Sequence, residues 1–272
     1  MPIFHAIVLG ITQGLSEFLP ISSSGHLILV PWLFGWDDFA GNASLEKAFD
    51  VALHLGTLVG AIAYFRTDIA RYLKAAFTSA GRGTDDRRIA WLLVLSAVPA
   101  AVTGALFADV IEENTGSIPL IATMLIVFGL VLAWADRLPG TRPLESVRLR
   151  DAVLMGAGQA LALQPGVSRS GVTLTAGRAA GLGRDGAARF AFLMSLPIIA
   201  GALVFKGSDL AGQGGIPDGF APAFFWGIVA SGITGWLAVW GMLRLIKTHS
   251  FMPFVIYRVG LGVVVLVVYA IR

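Results

Sequence analysis

Cysteine is absent from the 272 residues, so no disulfide, thiolate metal site or thiol nucleophile can be built from this chain. Charge is scarce. Only 14% of residues are charged and 56% are apolar, against about 25% charged in a soluble domain, and the mean hydropathy is +0.77. An ordinary soluble enzyme is excluded, and no polar tract is long enough for a second globular unit, so residues 1–272 are expected to form one membrane domain. The formal net charge of +3 does not point to nucleic acid as a partner, because Lys and Arg cluster in short segments between apolar runs, which is a membrane topology pattern. No Lys or Arg precedes the first apolar run, and the first charge is Glu17. A cleavable signal peptide needs a basic start, so this segment is expected to remain. Also lacking are a G-x-S-x-G elbow and a Walker loop, and the spacing of Asp, Glu and His offers no complete protein-only metal cage.

Apolar runs are what the chain has in abundance. Roughly 20 apolar residues cross a bilayer as a helix, and six runs of that size stand out: 48–65, 89–108, 118–135, 187–205, 222–243 and 252–271. Two further apolar regions, 3–34 and 152–176, are broken near the middle by Pro, Gly and several Ser. Broken backbone at membrane depth is tolerated only where protein buries it or it lines a wet cavity, so these two read as re-entrant helical hairpins. The fold class expected is an all-α integral membrane protein.

The two hairpins resemble each other. At a constant offset, Gly10, Gln13, Leu15, Ser22, Ser24 and Gly25 match Gly156, Gln159, Leu161, Ser168, Ser170 and Gly171. A weaker match follows between Phe49, Leu55, Gly60 and Phe190, Leu196, Gly201, while Pro119 and Pro253 each open the last span of a half. Each half, 1–142 and 148–272, is then one hairpin plus three crossings. Three is odd, so the second half is expected to be inverted, an arrangement in which broken helices meet near the midplane at a polar site. If segments 66–88, 137–150, 178–189 and 244–247 are cytoplasmic, they hold 15 of the 20 Lys and Arg. That bias places both termini outside, with Lys47, Lys206, Arg272 and the acidic stretch Asp109, Glu112, Glu113. Six of the seven Trp lie near span ends as interfacial anchors would; Trp236 does not.

Several polar residues sit where apolar ones belong. Gln13 and Glu17 are four apart, on one helix face; Pro20 ends that helix; Gly25 permits a tight turn; and Ser22, Ser23 and Ser24 open the next helix. Such an N-terminus binds anions, phosphate above all. A structural reading has the serines capping a helix and Glu17 pairing with an internal cation, but an ionisable residue in a span is functional by default. In the second hairpin Arg169 occupies the position of Ser23, between Ser168 and Ser170 and ahead of Gly171 and Thr173. Its guanidinium offers paired donors to phosphate oxygens; an ion pair with Glu17 is its structural reading, and the two are compatible. His26 has the company to act as acid, base or nucleophile. His5 and His54 read as packing or interface residues, His249 has no comparable company, and Arg258 either snorkels or braces the second hairpin, with structural support favoured. Taken alone, the cluster indicates phosphate chemistry or phosphate transport.

The motifs Gln13-Gly-Leu-Ser-Glu-Phe-Leu-Pro-Ile-Ser-Ser-Ser-Gly-His26 and Pro165-Gly-Val-Ser-Arg-Ser-Gly-Val-Thr173 resemble the bacterial undecaprenyl pyrophosphate phosphatases of the BacA/UppP family. Phe49 to Thr57 and Phe251 to Arg258 also look like that family, and the resemblance covers the whole chain. It implies a multi-pass enzyme of the bacterial plasma (inner) membrane, with its site towards the periplasm. Such an enzyme removes the terminal phosphate of undecaprenyl pyrophosphate, recycles the lipid carrier for peptidoglycan synthesis and contributes to bacitracin resistance. It also implies a divalent cation, Mg2+ or Ca2+, a polyprenyl pyrophosphate partner amid membrane lipids, and room for a homodimer. Carried onto this chain, the catalytic residues are Glu17, Ser23, His26 and Arg169, with Glu17 on the metal; Gln13, Ser22, Ser24, Gly25, Ser168, Ser170, Gly171 and Thr173 bind substrate. Many relatives carry Glu where this chain has Gln13, which leaves more of the metal role to Glu17. Ser23 is the expected nucleophile with His26 as its proton acceptor, or His26 attacks directly, or either group positions water. The alternative from another class is a transporter or flippase for a lipid phosphate, since inverted repeats with broken helices also build transport folds.

Overall fold

The computed structural model describes the backbone of residues 1–114, 116–212, 216–217 and 219–272, and their side chains except at 108–114, 206 and 208–212. The positions of Asp109, Glu112, Glu113 and Lys206 therefore lie outside the described side chains. Among the described residues there are ten α-helices and no β-strand: α1 (Ile3–Phe18), α2 (Ser23–Phe34), α3 (Ala43–Phe77), α4 (Asp85–Asn114), α5 (Ile118–Asp136), α6 (Leu149–Leu161), α7 (Arg169–Ala179), α8 (Arg184–Gly212), α9 (Ala221–Leu245) and α10 (Met252–Ile271). Six of them, α3, α4, α5, α8, α9 and α10, are long and apolar enough to cross a membrane, and each contains one expected span. The chain is a multi-pass membrane protein.

The other four are short. At about 1.5 Å per residue, the 16 residues of α1 and the 11 of α7 extend about 24 and 17 Å, less than the roughly 30 Å of hydrocarbon. Helix α1 stops two residues before Pro20, which has no N–H for the next turn, and α6 stops ahead of Pro165. The two breaks share an unusual backbone. Ser22 has φ 77° and Ser168 has φ 75°, a left-handed region that costs a non-glycine residue about 1–3 kcal/mol. Each is followed by the same cap: Ser22 Oγ accepts from Gly25 N at 3.4 Å and Ser168 Oγ from Gly171 N at 3.1 Å. The matched serines of the sequence are thus matched in conformation.

Packing interleaves the two halves. Helix α1 lies on α9 and α6 on α4; α3 also meets α9 as α8 meets α4; α5 pairs with α10. Small residues let these backbones close in, as membrane helices require when lipid supplies no hydrophobic drive. A Cβ added at Gly14 would overlap Thr234 Oγ1 and lie 2.7 Å from the Ser231 carbonyl oxygen, and Ser231 Oγ donates to Leu53 O of α3 at 2.9 Å. Gly14→Val is expected to push α1 off α9 and cost about 2 kcal/mol, read as a lower unfolding midpoint in detergent. The main apolar cluster centres on Phe18, Phe65, Phe190 and Phe192, with Phe18 edge-on to Phe192 at 5.7 Å between ring centroids. This cluster seats the end of α1 against α8.

Helix α3 departs from expectation. It runs on to Phe77, 35 residues in all, into the basic segment expected to follow a span ending at 65. Polar residues there do not break the helix, because Arg71 pairs with Asp68 one turn back at 3.2 Å and propensity favours continuation. At the end of the molecule where α5 finishes and α10 starts, Asp136 accepts from Arg184 Nε at 2.6 Å and from Phe251 N at 2.9 Å. Nearby Arg178 donates to the carbonyls of Gly140, Leu182 and Leu138. Trp236, which no interfacial position accounts for, packs edge-on to Tyr64.

Candidate functional site

Glu17, one residue from the end of α1, is the centre on which both hairpins converge. Its side chain is only 2% exposed. Oε2 accepts from Ser23 Oγ at 2.7 Å and from Gln13 Nε2 at 3.0 Å, the second bond following from the shared helix face. Arg169, the first residue of α7, brings Nη2 to 3.4 Å from Oε1. The break after α1 frees Ser23 to turn back on Glu17, and the break after α6 delivers Arg169 from the opposite half. Helices α2 and α7 both begin at this carboxylate, so two helix N-termini, each with unpaired N–H groups and a partial positive charge, converge where an anion would sit. The ion pair suggested by the sequence is present, and Arg169 remains partly exposed at 26%. It is therefore free to meet a ligand.

The expected substrate-binding residues divide into two groups. Gln13 lies in the site, and Ser24 is half-buried beside Ser23. The rest brace the breaks. Ser22 Oγ accepts from Gly166 N at 3.1 Å as well as from Gly25 N; Ser170 Oγ donates to Leu19 O at 2.9 Å and lies 3.2 Å from Ser168 Oγ; Thr173 Oγ1 donates to Arg169 O at 2.8 Å. Gly171 keeps room for Arg258, whose Nη1 would lie 2.7 Å from a Cβ there. The Ser22 and Ser170 hydroxyls hold one hairpin tip to the other and thereby fix Ser23 and Arg169 across from each other.

His26 does not meet Ser23. Its Nδ1 lies 2.7 Å from Ser22 O and its Nε2 2.8 Å from Tyr257 Oη. A carbonyl only accepts, so Nδ1 carries the proton and Nε2 accepts from the tyrosine; the two rings also stack. Ser23 Oγ contacts Glu17 rather than His26, because turning into α2 puts the histidine one helical turn beyond the serine and towards α10. Arg258 takes the structural role favoured from sequence and extends it. Fully buried, it donates to Gly166 O, Val167 O, Pro20 O and Leu125 O at 2.9–3.3 Å, bracing both breaks. His5 is a packing residue as expected, stacked on Trp36 and 2.9 Å from Asp38.

His54, expected to be a packing or interface residue, lies at the central carboxylate. Its Nε2 is 3.6 Å from Glu17 Oε2. Nothing near it in sequence marks it; only the packing of α3 beside α1 brings it to the carboxylate. Tyr257 went unnoticed for the same reason. As a cation site the cluster is chemically suitable: Gln13 Oε1 is a buried oxygen without a hydrogen-bond partner, the buried Glu17 carboxylate lies beside it, and oxygen donors of this kind suit Mg2+ or Ca2+.

Comparison with known proteins follows the same lines. A family model described as bacitracin resistance protein BacA matches residues 6–264. An undecaprenyl-diphosphatase of Pelotomaculum thermopropionicum is 46% identical over 273 residues, covering 100% of this chain and 98% of that protein. One of Geobacter sulfurreducens is 48% identical over 270 residues, covering 98% of each chain, and one of a Nocardioides species is 46% identical over 271 residues, covering 98% of this chain and 96% of the other.

Proposed function

The chain belongs to the BacA family of bacitracin resistance proteins, and from that membership we propose that it hydrolyses undecaprenyl pyrophosphate to undecaprenyl phosphate and inorganic phosphate in a bacterial membrane. The single observation that carries the reading is the meeting of Ser23 and Arg169 on Glu17 from two separate hairpins. It sets a hydroxyl with a proton acceptor opposite a guanidinium suited to phosphate oxygens. Removal of pyrophosphate lipid, the form that bacitracin sequesters, accounts for the family's part in resistance.

In the mechanism the geometry supports, Arg169 and the N-termini of α2 and α7 bind the terminal phosphate. Ser23 Oγ attacks its phosphorus as Glu17 Oε2 takes the hydroxyl proton, and the bond to the bridging oxygen breaks to release undecaprenyl phosphate. Water then attacks the phosphoserine and Glu17 returns its proton to Ser23 Oγ. His26, held by Ser22 and Tyr257, keeps the start of α2 in place. Gln13 and Glu17 would hold a divalent cation, which when bound offsets charge on the phosphoryl oxygens.

The repeated serine conformation, the repeated cap and the exchange of packing partners between halves support an inverted repeat of 1–142 and 148–272, with α1–α2 and α6–α7 as re-entrant hairpins. The basic bias of the segments joining the spans supports a site opening towards the periplasm. The test is phosphate release from undecaprenyl pyrophosphate by protein purified in detergent. Ser23→Ala is expected to lower it about 10³-fold or more; turnover near that of wild type would remove serine as nucleophile and make Glu17 a base for water.

A further inference from the structure

His54 touches the central carboxylate and takes no part in the mechanism above. It lies on α3, and its Nδ1 is 2.8 Å from the carbonyl oxygen of Asp50, one turn earlier. Because a carbonyl only accepts, Nδ1 carries the ring proton, and the neutral ring presents the lone pair of Nε2. That nitrogen is the one 3.6 Å from Glu17 Oε2. An imidazole pinned through one nitrogen to a backbone carbonyl, with the other directed at a carboxylate, is how proteins orient histidine towards a metal.

Two further observations point the same way. Gln13 is completely buried, yet its Oε1 makes no hydrogen bond, and neither does Glu17 Oε1. The Glu17 oxygen has the Arg169 guanidinium 3.4 Å away, so the orphaned one is the Gln13 oxygen, and such a group calls for an explanation. Among the described residues no three His, Asp or Glu side chains gather at one place, so Glu17 supplies the site's carboxylate charge with little help. A cation there gains from a nitrogen donor.

We propose that His54 Nε2 is a ligand of the divalent cation at Glu17, with Gln13 Oε1 beside it, leaving the remaining positions to phosphate oxygens and water. The proposal rests on the phosphatase reading and on its cation. It carries a consequence for metal choice: an imidazole raises affinity for first-row transition ions over Ca2+, so Mn2+ should compete effectively for this site.

The experiment adds Mn2+ to the full-length protein in detergent and reads pulsed electron paramagnetic resonance for nitrogen coupling from a directly bound imidazole. Wild type is expected to show that coupling, His54→Ala to lose it and to bind Mn2+ at least about tenfold more weakly, and His249→Ala to keep both. Bound Mn2+ that depends on Glu17 but shows no nitrogen coupling in wild type would overturn the ligand role of His54 and leave the phosphatase intact. Phosphate release that persists in chelator with no Mn2+ bound would overturn the cation and this proposal together, again sparing the phosphatase. Absence of release with every metal would instead sink the hydrolytic reading.

Discussion

Arg169→Ala is expected to reduce phosphate release roughly 10³-fold, the size of effect seen when a guanidinium that stabilises a transferring phosphoryl group is removed. Two losses combine. The donors aimed at the phosphate oxygens disappear, and the buried Glu17 loses the cation 3.4 Å from its Oε1, so that an uncompensated carboxylate faces an incoming anion. Affinity and turnover should therefore both fall. Arg169→Lys restores charge but not the planar pair of donors, and recovery to less than a tenth of wild type is expected. Glu17→Gln should be as severe, because it removes the acceptor 2.7 Å from Ser23 Oγ. If both act on one phosphoryl group, the double variant falls no further than the worse single. The measurement is phosphate release by variants whose melting in detergent matches wild type; Arg169→Ala within about tenfold of wild type would count against the two-hairpin site.

Arg258→Met is expected to damage the molecule before it damages the chemistry. The guanidinium is fully buried and satisfies carbonyls at the first break, the second break and α5. Methionine fills similar volume and strands the carbonyls of Pro20, Gly166 and Val167, while Leu125 O keeps its place in the hydrogen-bond ladder of α5. Each buried carbonyl left unpaired costs about 1–3 kcal/mol, so the loss of three partners together is a large fraction of the stability of a fold. For a chain of this size the unfolding midpoint in detergent should drop by about 10 °C. Arg258→Lys should recover only part, since one ammonium cannot reach the same set of acceptors. An unchanged midpoint for Arg258→Met would mean that the breaks hold without it.

The spans were legible because crossing a bilayer imposes a length and a composition, and all six expected runs fall inside helices. The breaks were legible because Pro20 and Pro165 cannot continue a helix. The offset that pairs Ser22 with Ser168 showed in the backbone as a shared left-handed φ. What the residues did not reveal has one cause: contact between distant helices. His54 and Tyr257 look unremarkable along the chain, and only the placement of α3 and α10 gives each a partner. The serines were ambiguous for a second reason. Ser22, Ser23, Ser168 and Ser170 are chemically alike, but local backbone decides which hydroxyl is spent on capping and which reaches Glu17. The far end of α3 was not legible because charged residues mark where the chain leaves the membrane and not whether its backbone stays helical.

The interleaving of halves bears on how the chain is made. Helix α1 carries Gln13 and Glu17 into the membrane long before the helix it lies against, α9, which begins only at Ala221. Arg169 and His54, which share its carboxylate, arrive in between. Until α9 has been made, the first hairpin has an acidic side chain in lipid without its full set of partners, and contacts so distant in sequence close slowly. The nascent protein must therefore be sheltered, or keep that hairpin at the surface, until the second half has been inserted. Truncations ending before α9 should be cleared by membrane proteases rather than accumulate as a folded half.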